Sequence, residues 1–191
     1  LMLHAVYSKE LFMLTVLIVE DNERLQRALK IGLESTGAIQ VVGTVATGEA
    51  AIVHCLDAAP GAVLMDVALA GDVNGIEAAV AIRRELPRLP VVFYSIQDDD
   101  AYYRAFLRSG MLSHYAYVRK SNYLLPESVA PLLHDAAAGR SFIDPDIEAR
   151  VQEVRHKDEY EPLALLEPNE RAIVGLLAQG ATNEQIADRL G

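Results

Sequence analysis

From Leu14 onward the chain alternates short apolar runs with amphipathic stretches of helical period, and that alternation restricts the fold more than any other feature. Runs of four or five apolar residues suit strands buried on both faces, and helical stretches between them suit right-handed crossovers, so the pattern predicts a parallel α/β sheet. The runs are Thr15 to Val19, Val41 to Val45, Ala62 to Met65, Val91 to Tyr94 and Tyr115 to Val118. Between and after them, helices are expected over Asn22 to Glu34, Gly48 to Asp57, Ile76 to Leu86, Asp98 to Arg108 and Pro126 to Ala138, the last opening on proline and closing before Gly139. Five βα units in succession give a doubly wound, five-stranded parallel sheet over residues 13–139. Residues 1–12 lack a period and form an N-terminal extension with no assigned function.

After Gly139 the character changes. Residues 140–162 are rich in charge and read as a linker, with a helix expected from Pro145 to His156. Residues 163–191 form a small all-α unit: Pro168 to Gln179 places Ile173, Leu176 and Leu177 on one face, Gly180 ends that helix, and Thr182 caps a second one reaching Leu190. Two short helices meeting at a glycine have the outline of the first half of a helix-turn-helix.

Composition removes several function classes. With 17 Lys and Arg against 27 Asp and Glu, a formal net charge of −10, the surface as a whole has the wrong sign for holding a phosphate backbone. Nucleic-acid contact would need a local basic patch, and residues 140–191 carry six Lys and Arg against eleven Asp and Glu. A single cysteine, Cys55, leaves neither a disulfide framework nor a cysteine zinc site, and the five histidines lack metal-ligand spacing. No apolar run approaches the roughly 20 residues that span a bilayer, and the first dozen residues lack the order of a signal peptide. The expectation is a cytoplasmic protein without membrane contact.

Ligands of open parallel sheets bind beyond the carboxyl ends of the strands. There the chain places Glu20 and Asp21 after the first run, Asp66 after the third, Ser95 after the fourth and Lys120 after the fifth. Alone, each has a bland reading: Asp21 and Asn22 as helix caps, Ser95 as a turn residue, Lys120 as a solvated charge. Together they place three carboxylates, a hydroxyl and an ammonium on one edge. Carboxylates forced together repel, and a hard divalent cation resolves the conflict. Magnesium fits best, since it accepts one or two carboxylates, a carbonyl and waters. With such a cation neutralising charge, Lys120 and Ser95 complement a phosphoryl group and Asp66 can attack one, so the residues read as a phospho-acceptor site.

The segments TVLIVEDNERL, AVLMD, VVFYS and YVRK, in this order and spacing, resemble the receiver domain of two-component response regulators, a flavodoxin-like fold. The resemblance implies that Glu20, Asp21, Asp66 and the main-chain carbonyl of Ala68 hold magnesium. It implies that Asp66 receives a phosphoryl group from a sensor histidine kinase, and that Ser95 and Lys120 read the phosphate. Tyr117 matches the family's aromatic switch, which turns inward when the hydroxyl at the Ser95 position is drawn to the phosphate. The segment LEPNERAIVGLLAQGATNEQIADRLG is similar to the opening of a NarL/LuxR-type helix-turn-helix. In that family a recognition helix follows this stretch, so residues that read DNA bases cannot be assigned here.

The resemblance therefore implies a phosphorylation-dependent transcriptional regulator, not a classical enzyme, whose partners are a sensor kinase, DNA through the complete output domain, and a second copy when phosphorylated. The alternative is a receiver-type interaction module acting without DNA. A magnesium phosphohydrolase ranks last, because its acid/base aspartate would stand where this chain has Ala68. Three departures from the family pattern stand out: Ala70 replaces a usual proline, Ile96 replaces a usual small residue, and SGMLSHYAYVRK is about three residues longer than the usual connection. Ile96 leads to an expectation of slower dephosphorylation.

Overall fold

The computed structural model describes residues 13–96, 98–123, 125–160 and 166–190. The extension over 1–12 and the boundary near Leu163 lie outside them. Six parallel strands form one sheet: β1 (Leu14–Val19), β2 (Ile39–Val45), β3 (Ala62–Met65), β4 (Val91–Ser95), β5 (Tyr115–Arg119) and β6 (Ser141–Ile143), ordered β2-β1-β3-β4-β5-β6. The expected sheet of five strands is thus corrected to six. β6 pairs Ser141, Phe142 and Ile143 with Tyr115, Ala116 and Tyr117. Three residues beginning with an exposed serine do not make an apolar run, and only the edge of β5 gives them a partner.

The helices are α1 (Glu23–Ser35), α2 (Gly48–Ala58), α3 (Gly75–Glu85), α4 (Asp100–Arg108), α5 (Pro126–Ala137), α6 (Pro145–Tyr160), α7 (Pro168–Ala178) and α8 (Asn183–Leu190). Their starts are set locally. The side chain of Asn22 accepts from the amides of Arg24 and Leu25, Thr47 from Ala50, Asp99 from Ala101, and Asn74 forms a reciprocal capping box with Glu77. Proline occupies the first turn of α5, where its missing N–H costs nothing.

Strand alternation sorts the core into two layers. Leu17, Val19, Val63, Met65, Val91, Phe93 and Tyr117 face one side, packed with residues of α2, α3, α4 and α6. Val16, Ile18, Ala62, Leu64, Val92, Tyr94, Ala116 and Val118 face the other, against α1 and α5. Each fully buried aliphatic side chain contributes about 1.5–3 kcal/mol relative to exposure. The sheet order places β1 between β2 and β3, so the chain reverses its direction of winding there, and a crevice opens beyond the carboxyl ends of β1 and β3.

The segment read as a linker enters this layered core. Asp144 accepts from the Asp146 amide at the start of α6, and Ile147, Val151 and Val154 of that helix are buried in the first layer. In contrast, α7 contains no buried residue, and its turn into α8 is closed by Gly180 at φ +81° and by the Ala181 amide donating to the Leu176 carbonyl at 3.0 Å. Among the described residues, no helix is long and apolar enough to cross a membrane.

Candidate functional site

Glu20 follows β1, and its amide donates to the Val45 carbonyl at 3.0 Å; Asp66 follows β3, and its amide donates to the Val19 carbonyl at 2.8 Å. Sheet geometry continued one residue past the strands therefore brings the two carboxylates side by side. Both are buried, whereas Asp21 is exposed at the rim. Ligand atoms of Glu20, Asp21 and Asp66 all lie within 4.8 Å of one another.

Lys120 enters from the end of β5, where its amide donates to the Ser95 carbonyl at 2.9 Å. Its Nζ donates to Glu20 Oε2 and to Asp66 Oδ2, both at 2.6 Å. Desolvation nonetheless pushes the Asp66 and Glu20 carboxyls above their ordinary values, with Lys120 opposing the shift. Three carboxylates around one ammonium leave an excess of two negative charges, so this donor set fits a divalent, oxygen-seeking cation. Receiver domains bind magnesium, and this buried acidic cluster has the composition for it. Backbone amides complete the carboxylates' bonding, Ala68 N–H to Asp66 Oδ1 at 3.3 Å and Asn22 N–H to Glu20 Oε1 at 3.3 Å.

Ser95 is buried at the end of β4, beside Lys120. Ile96, next to it, is 70% exposed. Tyr117 lies a layer below: its ring is inward and fully buried, 5.2 Å from Phe106, 5.6 Å from Phe93 and 6.3 Å from Tyr103. Its hydroxyl finds no hydrogen-bond partner among the described residues, and burial raises its pKa.

Three further residues shape the site. The Tyr94 ring lies under Lys120, with Nζ 5.4 Å from its centroid, and its hydroxyl donates to the Tyr123 carbonyl at 2.9 Å. Burial pushes its phenol up to about 12, so it stays neutral under the ammonium. The Gln26 side-chain amide donates to the carbonyls of Glu20 and Val45, fixing the chain that carries the acidic pair. A Cβ at Gly75 would sit 1.9 Å from the Asp66 carbonyl oxygen, so only glycine lets α3 begin so near the Asp66 loop. These roles depend on contacts distant in sequence. The one local signal is the placement of Gln26 one helical turn after its capping Asn22.

The response regulator receiver domain family matches residues 16–121. The response regulator protein VraR of Staphylococcus aureus is 31% identical over 173 residues, which cover 90% of this chain and 79% of that protein. A LuxR-family two-component response regulator from Aurantimonas sp. SI85-9A1 superimposes with a TM-score of 0.64 at 24% identity, covering 75% of this chain and 98% of that one. The RcsB response regulator of Salmonella typhimurium gives a TM-score of 0.61 at 21% identity, over 93% of this chain and 82% of its own. With Glu20, Asp66 and Lys120 gathered at the strand ends of a flavodoxin-like sheet, the chain belongs to the two-component response regulators with NarL/LuxR-type output, proteins that control transcription in response to phosphorylation and interact with histidine kinases and DNA.

Proposed function

We propose that Asp66 is the phosphoryl acceptor of this response regulator, supported above all by its position within 4.8 Å of two further carboxylates and 2.6 Å from Lys120. The Asp66 carboxylate oxygen forms the new bond to phosphorus, and the bond from phosphorus to the kinase's imidazole nitrogen breaks as that nitrogen recovers its lone pair. Glu20, Asp21, Asp66 and the main-chain carbonyl of Ala68 hold Mg2+. When bound, the cation neutralises charge on the transferring oxygens. Lys120 then exchanges part of its contact with Asp66 for the phosphoryl oxygen, and Ser95 donates to another. Tyr117 follows Ser95 as the switch residue. Ile96 slows hydrolysis of the acyl phosphate by covering it.

The domain reading accompanying this is a receiver over 13–139, the expected linker over 140–162, which joins the receiver's sheet and core through β6 and α6, and part of a helix-turn-helix over 163–191. DNA contact runs through the complete output domain, and phosphorylation favours a homodimer; RcsB is described as two dimers bound to two parallel DNAs. The reading includes a cytoplasmic setting, which the single, buried cysteine, whose thiol burial pushes up to about 11, supports. Calorimetric titration with Mg2+ tests the site: Asp21→Asn and Asp66→Asn each weaken binding about tenfold or more. Unchanged affinity in both variants would remove the metal assignment.

A further inference from the structure

Helix α6 lies beyond the residues that match the receiver family. It is nevertheless bound to the two loops that leave the phospho-acceptor site. Ile147, Val151 and Val154, spaced for one helical face, enter the core layer that contains Tyr103, Phe106 and Tyr117. Beside that apolar strip runs a line of ionic contacts. Arg150 donates from Nε to Asp98 Oδ1 at 2.9 Å and from Nη2 to Asp100 Oδ1 at 2.7 Å, with its guanidinium 5.8 Å above the Tyr103 ring. Further along α6, Lys157 reaches Asp100 at 3.3 Å, and Asp158 accepts from Arg104 Nε at 2.9 Å.

Asp98 is the node. It stands three residues after Ser95 and also accepts from the Tyr103 hydroxyl at 3.1 Å and from Arg119 Nη2 at 3.3 Å. Arg119 precedes Lys120 and is the cross-strand partner of Ser95. The Arg150 guanidinium, first among its neighbours, holds the Asp98 carboxyl below the usual carboxylate range and keeps it ionised. At the start of α6, Asn122, two residues after Lys120, donates to Asp144 at 2.9 Å and to Asp146 at 3.3 Å. Isolated surface ion pairs contribute little, but here Arg150 joins Asp98 to Asp100, Lys157 and Asp158 bind α4, and Asn122 ties the second loop to the start of α6, whereas a helix docked for packing alone would need only its apolar strip.

We propose that α6 is a positioning element for phosphotransfer: Arg150, through Asp98 and Asp100, holds the loop that presents Ser95, and phosphorylation is reported to α6 through the same contacts. This rests on Asp66 as acceptor. The contacts that tie the Ser95 loop to α6 act on both: loosening α6 releases the loop, and a loop rearranged by phosphorylation pulls on α6.

The test uses the full chain with acetyl phosphate and Mg2+, reading phosphoryl incorporation over time by intact mass and α6 amide hydrogen exchange in parallel. Arg150→Gln speeds exchange in α6 and slows phosphorylation about fivefold, while Arg150→Lys, which keeps the charge but not the fork, restores part of both. In the wild type, phosphorylation changes α6 exchange. The proposal fails if Arg150→Gln loosens α6 while the phosphorylation rate stays within about twofold, the behaviour of a packing helix. It fails equally if α6 exchange does not respond to the substitution. A wild-type chain that takes up no phosphoryl group overturns the acceptor reading itself, and the coupling with it.

Discussion

The strand-end site and the α7–α8 pair both carry a motif that can be read from residue types, yet the chain supports them differently. Glu20, Asp66, Ser95 and Lys120 are buried polar groups held by two packed core layers and by hydrogen bonds to one another and to the backbone. The α7–α8 pair is held by its own turn and by a few contacts; Ile173 and Leu177 are 38% and 50% exposed, and Ile186 is buried. Polar chemistry inside a protein needs a core that fixes it, because an unpaired buried charge costs several kcal/mol. An amphipathic helical pair with so little buried surface draws its order from whatever its apolar face meets.

Substitutions should separate the two regions in size of effect. Phe93→Ala, in the core layer beneath Ser95, is expected to destabilise by about 3–5 kcal/mol in urea denaturation. A loss under about 1 kcal/mol would mean that the layer is not the site's support. Lys120→Met leaves Glu20 and Asp66 facing each other and removes the cation proposed to meet the phosphoryl oxygens. It should slow labelling by acetyl phosphate about a hundredfold at equal folded fraction. A rate near that of the wild type would demote the lysine to a structural ion pair.

The raised carboxyls give the next effect its sign. Glu20 and Asp66 bind protons more tightly in the folded chain than at their ordinary values of 4.5 and 3.8. Their contribution to stability is therefore fully present below those values and is lost as pH rises through the higher, folded values. Denaturation midpoints followed across this range without Mg2+ should show the loss, and Asp66→Asn should flatten it. Mg2+ should restore stability near neutral pH and do less in acid, where protons compete for the same oxygens. A wild-type profile that matches Asp66→Asn would refute the electrostatic account. The smallest effect belongs to the other region: Leu177→Ala should shift the main unfolding transition by no more than about 0.5 kcal/mol. A larger shift would show that α7 packs on the receiver more than its exposure indicates.

The site was more legible in the sequence than the architecture around it, for a physical reason. Five strands announce themselves by apolar runs, and their final residues place Glu20, Asp21, Asp66, Ser95 and Lys120 on one edge without further information. β6 offered no such run: Ser141, Phe142 and Ile143 form a strand because β5 has an open edge beside them. Helix α6 was expected within a linker, since Ile147, Val151 and Val154 are separated by charges, and nothing local reveals that those charges find Asp98, Asp100 and Arg104. Tyr94 under Lys120 was hidden likewise, because a strand residue next to Ser95 reads as core until the opposite loop is placed over it. Tyr117 was expected as a switch, and its inward ring, with a hydroxyl that has no partner among the described residues, is a property of packing that no spacing foretells.

Phosphorylation of Asp66, proposed to occur with Mg2+ held among Glu20, Asp21 and Asp66, is tested by incubating the chain with acetyl phosphate and Mg2+, measuring intact mass, and locating the adduct by peptide mass beside an Asp66→Ala control. The account predicts a single Mg2+-dependent phosphoryl group on Asp66 that is absent from the control. An adduct that persists in Asp66→Ala, or that forms equally well with Mg2+ chelated, would contradict it.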